Sequence, residues 1–233
     1  IISIMISLFF IASFIRYSIP KNHRKKTRLM FPDLIPYLDY FGTIIFAITG
    51  CLVAAKRGSD VLAFILLGLV TAVGGGTIRD ILIGSTPVFW IENPIYLIIC
   101  IITGLMMFTG LHHIQKIKNY EFMLIWADAI GLATFTVIGT HIALSNDIAI
   151  LPSILLGVST ACFGGLIRDL LSQEETLIFK KDIYMTACII GSIAYVICDL
   201  LSQPTLAVMI CFATTLLIRG LAIQFHLKLP GHK

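Results

Sequence analysis

Apolar residues run along this chain in seven stretches of about twenty. They lie near 35–55, 60–84, 94–113, 122–144, 148–171, 183–201 and 204–223, and short segments holding Pro, Gly or charged residues separate them. Within each stretch the hydrophobicity is continuous. The period-two alternation of a membrane β-barrel strand is absent, so helices are expected. At 1.5 Å rise per residue, one such run crosses a hydrocarbon layer of roughly 30 Å. Composition agrees, because 58% hydrophobic and 13% charged residues, with a mean hydropathy of +0.95, leave too little polar surface to cover a soluble globule. The expected class is an all-α integral membrane protein with seven transmembrane helices.

Charge orients the spans. Loops on one side carry Lys56, Arg57, Lys116, Lys118, Lys180 and Lys181, and the tail carries Lys228 and Lys233. The opposite loops, 85–93, 145–147 and 202–203, have no Lys or Arg. Positive charge stays cytoplasmic, which puts the C-terminus inside. Residues 1–29 break the pattern, since Lys21, Arg24, Lys25, Lys26 and Arg28 would lie outside, just before the first span. The apolar part of that segment, 1–15, is short for a span, and Met30 precedes the first well-formed one. The expectation is a mature protein beginning at Met30; a signal-like eighth helix is the alternative.

The sequence repeats itself. Laying residues 35–84 on 124–173 without a gap matches 18 of 50 positions, including Gly42 with Gly131, Phe46 with Phe135, Gly50 with Gly139 and Thr71 with Thr160. Asp39 falls on Asp128 and Arg79 on Arg168, each pair 89 residues apart. Apolar composition alone would not align charges, so the chain holds an internal duplication. Each copy has three spans, and an odd number makes the second enter the membrane from the opposite side. The expected organisation is a first three-helix repeat over 30–113, a second, inverted one over 114–203, and a seventh helix with a cytoplasmic tail over 204–233. Inverted repeats of this kind place substrate sites between the halves.

Both copies carry charges inside apolar runs, at Gly74-Gly75-Gly76-Thr77-Ile78-Arg79-Asp80 and Phe163-Gly164-Gly165-Leu166-Ile167-Arg168-Asp169. Intramembrane ionisable groups mark polar pathways or internal ion pairs. Consecutive glycines weaken a helix and let it kink or unwind, exposing carbonyl oxygens that suit a dehydrated monovalent cation. Half-helix ends at such a break would equally suit a small zwitterion. Neighbours in sequence diverge by about 100° around a helix, so Arg79 is expected to pair with Asp39 and Arg168 with Asp128. That leaves Asp80 and Asp169 as the carboxylates facing a polar path, lined by Gly74, Gly75, Gly76, Gly164 and Gly165. The plainer reading is close packing at the glycines and a structural clamp at the charges.

Other candidates reduce to ordinary roles. Cys51, Cys100, Cys162, Cys188, Cys198 and Cys211 are scattered with no C-x-x-C spacing and read as packing residues, without a metal or cofactor. His112, His113, His141, Trp90 and Trp126 fall near predicted membrane edges, and Glu174, Glu175, Lys180, Lys181 and Asp182 read as a solvated loop. Arg219 is expected to snorkel from the last span. No nucleophile, base and orienting group come together, so an enzyme is not expected, and nothing points to nucleic acid.

With three-plus-three-plus-one spans, the Gly-Gly-x-x-Arg-Asp signature in both copies and the Asp39/Asp128 pair, the chain resembles the prokaryotic branch of the trimeric intracellular cation channel family, whose domain is also described as a glycine-transporter domain. The resemblance covers about Met30 to Gln224. It implies a homotrimer in a bacterial inner (plasma) membrane, among membrane lipids, with one pore per subunit bounded by kinked second and fifth helices and conducting potassium and other monovalent cations. Animal members carry a basic motif linked to a phosphoinositide lipid; Leu124-Ile125-Trp126-Ala127-Asp128-Ala129 has no Lys or Arg, so that lipid site is not carried over. Gly74 is matched by Phe163, which would make the second break the stiffer. Three functions stay open: a monovalent cation channel, a carrier of glycine or a similar small neutral amino acid, and a structural membrane protein held together by its buried charges.

Overall fold

Polar caps, prolines and glycines divide the apolar runs into eight helices among the described residues, with no strand. In the computed structural model these residues are 34–110, 120–174 and 183–227. The expected start at Met30, His112, His113 and the basic residues of the third and fifth loops lie outside them. The helices are α1 (Leu34–Lys56), α2 (Val61–Ile83), the short α3 (Phe89–Glu92), α4 (Ile95–Thr109), α5 (Tyr120–Ser145), α6 (Ile150–Leu171), α7 (Met185–Leu200) and α8 (Pro204–Gln224). Asp60 starts α2 by accepting the Ala63 N–H at 2.8 Å, and Gly84 ends it with φ +79°, the left-handed turn that glycine adopts freely. Pro204 stands in the first turn of α8, where its missing N–H removes no helical hydrogen bond.

Five helices, α1, α2, α5, α6 and α8, are long and apolar enough to cross a membrane. The stretches at 94–113 and 183–201 yield shorter apolar helices, α4 with 15 residues and α7 with 16. Leu62, Leu66, Met106, Leu155, Leu170, Met209 and Leu217 point outward. Charge and hydroxyl groups turn inward instead, the reverse of a soluble protein.

Packing follows the 89-residue register. α1 packs on α5 and α2 on α6, while α4 closes against α1 and α2 as α7 does against α5 and α6. The Phe46 and Phe135 rings meet at 5.0 Å between centroids. Each ring rests on a glycine of the other helix, Phe135 against Gly42 and Phe46 against Gly131. A Cβ at Gly131 would strike the Phe46 ring, and one at Gly42 would strike the Thr134 methyl and crowd the Phe135 ring, so small residues at 42 and 131 permit the two aromatic residues to interlock. α8 lies outside this pairing and packs on α7 and α5, with Gly191 seated against Thr215.

Candidate functional site

At the α2–α6 crossing the glycines do something other than break a helix. Both helices run unbroken through Gly74-Gly75-Gly76 and Gly164-Gly165, which corrects the expected unwinding. A Cβ on Gly75 would fall on the Thr160 carbonyl, and one on Gly164 would fall on the Thr71 carbonyl. The backbones approach so closely that no side chain fits between them. Propensity against glycine is outweighed by this contact, because an unwound turn in an apolar interior would leave carbonyls and amides without partners. Thr160 and Thr77 return their hydroxyls to the carbonyls four residues back, Leu156 at 2.6 Å and Val73 at 2.7 Å.

Beyond the crossing, each helix delivers its Arg-Asp pair to a different cluster. In the second copy Arg168 is fully buried. Its Nη1 donates to Asp128 Oδ1 at 2.9 Å and to Thr49 Oγ1 at 3.0 Å, and its Nε donates to Asp169 Oδ1 at 2.8 Å. The structure thus brings Asp128 and Arg168 together and adds Asp169. Asp128 Oδ2 and Arg168 Nη2 are buried without a hydrogen-bond partner among the described residues.

In the first copy the expected Asp39–Arg79 pair does not form. Arg79 turns to its neighbour, with Nε at 2.9 Å and Nη2 at 2.8 Å from Asp80 Oδ1. Asp39 instead accepts the Tyr96 hydroxyl at 2.8 Å. A step of about 100° separates the points where neighbouring side chains leave the helix, but a long guanidinium can still end beside its neighbour. In a desolvated interior the nearest carboxylate takes it. Asp80 is accordingly not free: its Oδ2 also accepts the Phe89 N–H at 2.9 Å. Asp169 is likewise engaged by Arg168.

Five residues of these clusters lay outside the sequence-based set. Thr49, Tyr96 and Phe89 hydrogen-bond to them, the Tyr184 hydroxyl stands beside Gly165, and Arg219 stands over the Tyr184 ring. Tyr96 and Tyr184 begin the third helix of each copy and stand 88 residues apart, one short of the ungapped register, so an alignment allowing one gap would have exposed them. Arg219 does not snorkel. It is buried, its Cζ lies 4.9 Å over the Tyr184 ring, and Nη1 donates to the Ile183 carbonyl at 3.2 Å. Those acceptors hold the guanidinium inside.

Other polar contacts lie outside the two charge clusters. Trp90 Nε1 donates to Thr77 Oγ1 at 2.9 Å, His141 Nδ1 and the Tyr195 hydroxyl are 2.8 Å apart, and the Trp126 ring packs by Gly220. Glu174 receives Lys56 at 2.7 Å and lies 3.9 Å from Arg57, tying the end of α6 to the end of α1. The six cysteines are unbridged thiols; Cys162 and Cys188 lie 3.9 Å apart in sulfur–sulfur contact.

Fold and site together define a helical membrane protein with two buried charge clusters flanking a glycine-mediated helix crossing. The family model described as "Glycine transporter" matches twice, over residues 36–112 and 125–199, in the same register as the repeat. The chain belongs to the trimeric intracellular cation channel family, in its prokaryotic branch. It is 40% identical over 199 residues to the inner membrane protein YadS of Escherichia coli, covering 84% of this chain and 95% of that one. A solved trimeric intracellular cation channel orthologue from Rhodobacter sphaeroides superposes with a TM-score of 0.80 at 40% identity, over 84% of this chain and all of the other. A second solved structure, described in terms of conductance through such channels, gives 0.76 at 35% identity, over 86% and 98%.

Proposed function

We propose that this protein is a passive channel for monovalent cations, potassium among them, with a pathway inside each subunit of a homotrimer in a bacterial inner membrane. The observation that carries the proposal is the likeness, at 40% and 35% identity over nearly their whole length, to two solved cation channels. The arrangement has seven spans: two inverted halves, 30–113 and 114–203, and a last helix over 204–233 with its end in the cytoplasm. Reciprocal contacts between residues 89 apart and the doubled family match support the inverted halves.

The pathway runs beside the α2–α6 crossing, not through it, because Gly75 and Gly164 are closed against opposing carbonyls. Gly74, Gly76 and Gly165 flank it. Each half holds two buried carboxylates and one guanidinium: Asp39, held by Tyr96, and Asp80, held by Arg79, in the first, and Asp128 and Asp169, both on Arg168, in the second. That excess of negative charge favours cations over anions even though Asp80 and Asp169 are hydrogen-bonded. Here the arginines support the carboxylates and set their geometry.

Reconstitution in liposomes tests this. A potassium gradient is expected to drive flux that is indifferent to glycine and sensitive to Asp169→Asn. Saturable glycine counterflow without conductance would replace the channel by a carrier of small zwitterions, and the absence of both would leave only the structural role.

A further inference from the structure

The two glycines that follow the crossing, Gly76 and Gly165, occupy equivalent positions 89 residues apart but meet different neighbours. At Gly165 the surroundings are polar: a Cβ there would lie 3.2 Å from the Tyr184 hydroxyl, 3.5 Å from Arg168 Nη2 and 3.5 Å from Asp128 Oδ1. At Gly76 the same place is taken by an aromatic ring, with Phe89 Cε1 at 2.7 Å and Cζ at 3.1 Å. The ring lies under the Arg79 guanidinium, 5.5 Å from Cζ to its centroid, and edge-on to Tyr96 at 4.7 Å.

Phe89 comes from α3, the four-residue turn between α2 and α4, and the turn is fastened to α2 at two points. Asp80 Oδ2 accepts the Phe89 N–H, and Thr77 Oγ1 accepts the Trp90 indole N–H. A half-buried ring on a short connecting segment, with two hydrogen bonds to the helix it covers, is a separable piece and not part of a helix face. We infer that Phe89 is a plug: it seats on Gly76 and seals the first-repeat end of the pathway, with Asp80 and Thr77 as its latch. This rests on the proposed pathway past Gly76. It also gives Gly76 a task distinct from that of Gly75, namely to make room for the ring.

The test combines two perturbations with one expected cause. Phe89→Ala removes the ring; Gly76→Ala keeps it but puts a methyl where it sits. Each is expected to raise potassium flux in liposomes about tenfold, the change that about 1.4 kcal/mol produces in an equilibrium between closed and open forms. In the double variant the second change adds nothing, since no ring remains to be displaced. Phe89→Leu, which keeps an apolar mass, stays near wild type and shows that folding is intact. A second readout needs no conductance. Val73→Cys, one turn deeper on α2, is treated in intact membranes with a membrane-impermeant thiosulfonate and read by peptide mass. Labelling is expected with Phe89→Ala and not with Phe89. Equal flux in wild type and variants that conduct, or labelling that ignores residue 89, overturns the plug. Wild type and variants that all pass no cation defeat the channel reading instead, while labelling still decides whether Phe89 seals this end.

Discussion

Substituting alanine for one glycine at a time separates a close helix crossing from a helix break. If the glycines existed to weaken the helix, Gly74→Ala, Gly75→Ala and Gly164→Ala would all stabilise by roughly the 0.8–1 kcal/mol that separates the two residues in helix propensity. The crossing predicts a split. At Gly74 the new methyl meets the tip of Ile167 at 3.1 Å and the Gly164 Cα in ordinary contact at 3.8 Å, and a flexible side-chain end yields cheaply. At Gly75 and Gly164 it lands on the backbone carbonyls of Thr160 and Thr71, which move only if α2 and α6 separate. Overpacking typically costs 1–3 kcal/mol, and backbone against backbone belongs at the upper end. After the propensity gain, Gly75→Ala should lose about 1–2 kcal/mol while Gly74→Ala gains up to about 1. For a chain of this size that is a fall of about 2–8 °C against a rise of about 2–4 °C. Thermal unfolding of the purified protein in one detergent, followed by loss of the monodisperse elution peak, measures both. Equal shifts for the two variants, or a more stable Gly75→Ala, would refute the crossing.

The charge clusters yield further expectations. Arg168→Gln leaves Asp128 and Asp169 buried without their cation and should cost about 3–5 kcal/mol, read as poor recovery of folded protein; Arg79→Gln should cost less, because Asp39 keeps Tyr96 and Asp80 keeps the Phe89 amide. Tyr96→Phe strips Asp39 of its donor and should lower stability by about 1–3 kcal/mol, an effect expected to shrink in an Asp39→Leu background, where no carboxylate is left unpaired. Glu174→Gln breaks a pair whose Lys56 and Glu174 side chains are 43% and 27% exposed, so unfolding in 150 mM salt should change by under about 1 kcal/mol.

Helices and their order were legible because continuous apolar runs and their interruptions are local properties. Pro94, Gly84, Asp60 and Pro204 stand at the ends where the structure stops or starts a helix. The duplication was legible because identical residues recur at one spacing. Pairing among the charges was less so. Asp128 and Arg168 meet, but Asp39 turns to Tyr96, a residue 57 positions away whose place beside it depends on how α4 packs against α1. Nothing in a chain of letters says that Phe89 reaches back over Gly76, or that Arg219 on α8 ends over Tyr184, because both depend on turns and approaches between separate helices. The glycines show the limit most clearly: three in a row are equally compatible with a flexible helix and with a tight crossing. Only the carbonyls opposite Gly75 and Gly164 decide between them.

Those contacts also explain how one duplicated motif comes to hold two unlike sites. The motif supplies the same parts on α2 and α6: glycines for the approach, an arginine and an aspartate. The segments around each copy decide what the parts do. In the first, Phe89 fills the space by Gly76 and binds Asp80, Tyr96 supplies Asp39, and the cluster ends apolar and closed. In the second, Thr49 reaches Arg168 from the opposite half and Arg219 stands over Tyr184 from the unpaired last helix, leaving polar groups around Gly165. The proposed pathway between the halves is therefore chemically asymmetric, with the Phe89 ring proposed as a plug at one end and hydrogen-bonding groups around Gly165 at the other. The asymmetry arises from residues outside the repeated motif, so exchanging the motifs between halves would preserve it, whereas replacing Phe89 would remove only the aromatic end and leave the polar surroundings of Gly165 as they are.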